Sequence, residues 1–104
     1  MVLFKIIWQP SAKNQLTNTL EYFSTRNGNN NYSKKLLKSV KDTISSLSKF
    51  PNLGKPTENE NVRELIHLDY SIFYVIDIDK IDIILFWDNR RSPNLLEKEL
   101  IKIS

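Results

Sequence analysis

The 104-residue chain has no cysteine, two glycines and a single histidine. Without thiols it can form neither a disulfide frame nor a thiolate metal site, and a reducing compartment is its natural setting. One histidine leaves no second imidazole for a transition metal. The spacing of Asp77, Asp79 and Asp82 fits no calcium loop, so no metal and no other cofactor is expected. There is no glycine-rich phosphate loop and no Ser-His-Asp nucleophile pattern. Long hydrophobic runs are also missing, since no segment reaches the roughly 18 continuous apolar residues of a membrane span. The opening MVLFKIIWQP meets Pro10 too soon for a secretory h-region and offers no small-residue cleavage site. These absences predict a soluble, cytoplasmic protein with no membrane partner. The length suits one domain over residues 1–104, long enough to close a core without staples.

Lys and Arg total 15 against 12 Asp and Glu, a net charge of +3. That permits an anionic partner without demanding one, so the placement of charge matters more than its total.

Apolar periodicity organises the rest. Val2 to Trp8 reads as a buried strand bounded by Gln9-Pro10. Pro10 suits the first turn of a helix, and Ala12, Leu16, Leu20 and Phe23 recur on one face of it. Arg26 to Asn31 breaks the chain, with Gly28 fit for a left-handed C-cap. A second helix carries Tyr32, Leu36, Leu37, Val40, Ile44 and Leu47 on one stripe and ends at Phe50-Pro51. Lys34, Lys38 and Lys41 fall on its opposite, wet face. Pro51 to Asn61 reads as a loop around Gly54 and Pro56. The period then shortens to two: NVRELIHL, YSIFYVIDID and KIDIILFWD predict three strands of an antiparallel meander, separated by Asp69 and by Asp79-Lys80. The expected order is β-α-α-β-β-β, an α+β domain with a helical hairpin packed on an antiparallel sheet. Ser92 to Ser104, with Leu95, Leu96, Leu100 and Ile103, is either a short C-terminal helix or a flexible tail.

Arg63 lies early in the second predicted strand, and Arg90-Arg91 follow the last. A meander is expected to bring these ends together at one sheet edge, where guanidinium groups fork onto phosphate oxygens. Lys55, in a loop shaped by Gly54 and Pro56, belongs to the same end. The plainer alternative is that these cations are solvated or pair with Glu64, Asp88 and Glu97. His67 suits proton transfer near neutrality, although a lone histidine at a strand end more often props its neighbours. Tyr70 and Tyr74 are the aromatic residues best placed for an open face that stacks on bases.

In chain order, WQPSAKNQL, LSKFPNLGKPT, VRELI, YSIFYVI and IILFWDNRRSP together resemble the toxins of the RelE/ParE superfamily from type II toxin–antitoxin modules, over residues 4 to about 94. The resemblance implies two helices on a curved antiparallel sheet and a cognate antitoxin as partner. It also implies one of two activities. RelE-like members cleave messenger RNA on the ribosome, without metal, using the RNA 2′-hydroxyl as nucleophile. ParE-like members bind and arrest DNA gyrase. The nuclease is the preferred expectation, with Arg63, Arg90, Arg91, Lys55 and His67 as catalytic candidates, Tyr70 and Tyr74 as RNA contacts, and ribosome and mRNA as partners. Gyrase inhibition is the alternative. The tail holds neither the tyrosine nor the histidine that many nucleolytic members carry there.

Overall fold

The computed structural model describes residues 3–103. Val2, which opens the first expected strand, and Ser104, which ends the tail, lie outside the described residues, as does the side chain of Ile103. The elements are β1 (Lys5–Trp8), α1 (Pro10–Asn27), α2 (Asn31–Ser45), β2 (Lys55–Pro56), β3 (Val62–His67), β4 (Tyr70–Asp77), β5 (Lys80–Asp88) and α3 (Pro93–Ile103).

The helical hairpin forms as the periodicity requires. Pro10 opens α1, where its missing N–H costs nothing, and Gly28 closes it at φ 71°, donating its N–H to the Ser24 carbonyl. Ala12, Leu16 and Phe23 of α1 face Leu36, Val40 and Ile44 of α2 in one core. Ser33 joins the two helices, its hydroxyl donating to the Leu20 carbonyl at 2.7 Å. A single 3-10 turn over Ser46–Ser48 continues α2 and delivers Leu47 to the same core.

The sheet is mixed, not purely antiparallel, with strand order β1-β5-β4-β3-β2. β3, β4 and β5 form the expected meander, but β1 runs parallel to β5, with Ile6 opposite Ile81 and Trp8 opposite Ile83. The chain from α1 through β4 lies between these two strands in sequence and gives the long connection that a parallel pairing needs. β1 is therefore an edge strand, half-buried through Ile6 and Trp8 and exposed at Lys5 and Ile7, in place of the buried strand that its apolar run predicts. β1 ends before β5 does. Beyond that end the Phe86 N–H donates to the Gln15 side-chain carbonyl of α1 at 2.9 Å, which satisfies a donor with no strand beside it. The loop from Pro51 to Asn61 contains the two-residue β2, with Lys55 opposite Glu64 and Pro56 opposite Arg63. Proline is tolerated there because the strand is at the sheet edge.

The tail is the helix α3, which packs on the sheet face opposite the hairpin. The register shift opposite Phe73/Tyr74 leaves Ile84 without a cross-strand partner. Both Ile84 and Leu85 join Val62, Phe73 and Trp87 in a second cluster, against which Leu96 and Leu100 of α3 pack. No helix among the described residues is long and apolar enough to cross a membrane.

Both meander hairpins turn through residues ill suited to them, Leu68 at φ 55° and Ile78 at φ 54°. A β-branched side chain in this left-handed region is strained by roughly 1–2 kcal/mol. Ile78 is 91% exposed, so it gains almost nothing from burial in return. Ile78→Asn, which tolerates that conformation, is expected to raise stability by about 1 kcal/mol, read as a higher melting temperature. An unchanged or lower melting temperature would refute the strain.

Candidate functional site

The expected arginine cradle does not assemble. β3 and β5 run in the same direction, because the meander reverses twice between them, so the start of β3 is level with the start of β5. Arg63 pairs across with Tyr74, which pairs with Ile83, whereas Asp88, two residues before Arg90, is level with Tyr70 and His67. The four-residue offset from Tyr70 to Tyr74 alone separates Arg63 from Arg90 by about 13 Å along the sheet.

Each cation already has work where it stands. The Arg63 guanidinium donates to the Gly54 carbonyl at 2.6 Å and, at 3.4 Å, to that of Asn52. Tyr74 ties down the same loop: its hydroxyl accepts the Gly54 N–H at 2.8 Å and donates to the Pro51 carbonyl at 2.7 Å. Gly54 is required by this close approach, since a Cβ there would lie 2.7 Å from the Tyr74 ring and hydroxyl. Lys55 is exposed and pairs with Glu64 at 3.7 Å. Glu64 in turn accepts a short hydrogen bond from the buried Ser71, whose hydroxyl also accepts from the Asn89 amide at 2.9 Å.

The other candidates are equally occupied. Tyr70 and Tyr74 are 1% and 0% exposed, which corrects their expected place on an open face. They face the hairpin core, because strand alternation places them on the same side as Leu65 and Phe86. Burial, reinforced by Tyr32, pushes the Tyr70 hydroxyl up to about 12. Burial also raises Tyr74. His67 is a prop, bound at Nε2 by Ser39 and at Nδ1 by Thr43, both on α2. Among the described residues no group of three or more His, Asp or Glu is arranged to hold a metal ion.

Arg90 and Arg91 flank a recess of about 320 Å³ between α1 and the end of β5, lined also by Gln15, Asn18, Tyr22 and Phe86. Arg90 is clamped by Asp88, with Nη2 to Oδ2 at 2.7 Å and Nε to Oδ1 at 2.9 Å. Its guanidinium carbon sits 6.0 Å from the Phe23 ring centroid and 5.9 Å from that of Tyr70. The hydrogen bonds from Arg90 hold the Asp88 carboxyl below its ordinary value and raise Arg90 in return. The pair thus presents little net charge to a ligand. Arg91 lies over Trp87, 4.4 Å from the ring centroid. The Asp88 clamp was among the plainer pairings open to the sequence, and its position two residues before Arg90 on a turn was the available signal. The strap from Arg63 to Gly54 had none, because it depends on where the loop returns. A larger groove of about 550 Å³ runs between α3 and the β2–β3 edge, with Phe73, Ile84 and Leu96 in its wall and Glu58, Glu64 and Glu97 at its rim.

Arg63→Ala is expected to lower stability by about 1 kcal/mol through loss of the loop strap, and Gly54→Ala by on the order of 2 kcal/mol through overpacking against Tyr74, both measured by urea unfolding. Stability unchanged in Arg63→Ala would remove the strap. The folded-state value of Asp88 lies below its ordinary 3.8. The contribution of the clamp is therefore complete above about pH 4 and is lost as pH falls through the lowered value. Asp88→Asn should accordingly flatten the loss of stability between about pH 4 and pH 2 in acid-unfolding curves. Curves parallel to the parent protein would contradict the clamp.

The family model described as the ParE toxin of the type II toxin-antitoxin system, parDE, matches residues 6–93. No curated protein matches the chain. Among solved structures, a chain of the chromosomal ParDE TA system from P. aeruginosa has a similar fold, with a TM-score of 0.71 at 18% identity over 81% of this chain and 94% of that one. With the helical hairpin and the meander in place along the matched span, the chain belongs to the ParE toxin family of type II toxin–antitoxin systems.

Proposed function

We propose that this chain arrests DNA gyrase by binding it, without catalysing a reaction, and that a cognate antitoxin holds it silent. The observation that carries this reading is the ParE family match over residues 6–93. The solved relative comes from a ParDE toxin–antitoxin system, which supports pairing with an antitoxin. The geometry points the same way. Cleaving RNA through its own 2′-hydroxyl needs preorganised positive charge around the five-coordinate phosphorus, the largest single contribution in such reactions. Here Arg63 is committed to the Gly54 carbonyl and Arg90 to Asp88, the two are apart along the sheet, and Tyr70 and Tyr74 are buried. A binding protein needs no such cradle.

Purified protein added to gyrase and relaxed plasmid is expected to suppress supercoiling, and an equimolar cognate antitoxin to restore it. Primer extension on messenger RNA from expressing cells should show no new cleavage ends. Undiminished supercoiling accompanied by cleaved messenger would overturn the reading in favour of the nuclease.

A further inference from the structure

The charge of this chain is gathered on one helix. α2 carries Lys34, Lys35, Lys38 and Lys41 against the single acid Asp42, a net +3. That equals the net +3 of the whole chain, so the remaining residues sum to zero. All four lysines are exposed. Lys34, Lys38 and Lys41 follow one another at steps of four and three, which places them on a single stripe about 10 Å long. The other side of the helix is spent on the core, through Leu36, Val40 and Ile44. Lys38 meets Asp42 at 2.9 Å, but both side chains are largely in solvent, where such a pair is weak and does not hold the lysine back.

We propose that this outer face of α2 docks on the sugar-phosphate backbone of duplex DNA. Three features of the surface select a phosphate backbone over an acidic protein segment. Protein interfaces are depleted in lysine and need buried apolar or aromatic anchors, and apart from Tyr32 at its first turn the exposed residues of α2 are all polar. Tyr32 is partly covered by its edge-on contact with Phe23, and a single ring at one end of the helix gives no series of rings on which successive unpaired bases could stack. The face is also a convex helix surface, not a groove, and flexible ammonium groups on such a surface meet successive phosphates, spaced about 3.4 Å per base pair along a strand, without reading sequence. The choice of DNA over RNA as the source of those phosphates rests on the gyrase reading, since gyrase works on duplex DNA. A toxin gripping that DNA would hold protein and nucleic acid together.

The test titrates the full chain into a fluorescein-labelled 30-base-pair DNA of mixed sequence, read by anisotropy from about 50 to 200 mM salt. Two triple variants with equal net charge are compared: Lys34→Gln, Lys38→Gln, Lys41→Gln on α2, and Lys5→Gln, Lys80→Gln, Lys98→Gln elsewhere. All six side chains are exposed, and thermal melts check that both variants fold. The α2 variant is expected to reduce the log–log salt slope by about 2.7 and to weaken binding at least about tenfold at 100 mM salt, while the other variant changes both far less. Equal effects of the two variants would mean that net charge alone is at work and would overturn the proposal. So would the absence of binding at 50 mM salt, or tighter binding to a duplex RNA of the same length. DNA binding through α2 alongside undiminished supercoiling would refute the gyrase reading and leave this one standing.

Discussion

Everything in this fold answers to the burial of β4 and β5 on both faces. From Tyr70 to Tyr74 and from Ile83 to Trp87 the chain is apolar or buried at every position, so alternation cannot turn one side to water. A strand of that kind is stable only when both sides are covered, a demand more typical of parallel sheets than of a meander. The hairpin of α1 and α2 covers one face through Leu16, Leu36, Val40 and Ile44. α3 covers the other with Leu96 and Leu100, and the bulge at Ile84 concentrates the apolar load beneath it. A single short helix cannot span that face, and the groove beside it is what remains uncovered.

The same burial decides what the cations can do. A guanidinium at the rim of a packed sheet is drawn to the nearest carbonyl or carboxylate, because a polar group left unpaired there costs more than the hydrogen bond itself returns. Arg63 closes the loop after α2, and Arg90 is held by Asp88 between two aromatic rings. Arg90 is neutralised by its carboxylate, and Arg63, still charged, is turned to the loop and stands well away along the sheet, so the two do not converge as a phosphate-cleaving centre requires. The exposed lysines on the outer face of α2 are held far less, since the ion pair that Lys38 makes with Asp42 lies largely in solvent. The strongest uncommitted charge of the molecule therefore lies far in sequence from the arginines that first draw the eye.

The helices, the meander and its tight turns, and the amphipathic character of the tail were all determined by sequence alone, because each is written in local periodicity: Ala12 to Phe23 at helical spacing, Ile81 and Ile83 alternating with Asp82, Leu96 and Leu100 four apart. Tertiary structure alone decided how these pieces meet. The direction of β1 against β5, the pairing of β2 with Arg63 and Glu64, and the inward turn of Tyr70 and Tyr74 depend on which face the hairpin occupies, and no local spacing encodes that. The separation of Arg63 from Arg90 follows from strand direction summed over two reversals. Their chemistry was readable residue by residue, but whether two charges share a site is a matter of distance, which only the folded sheet sets.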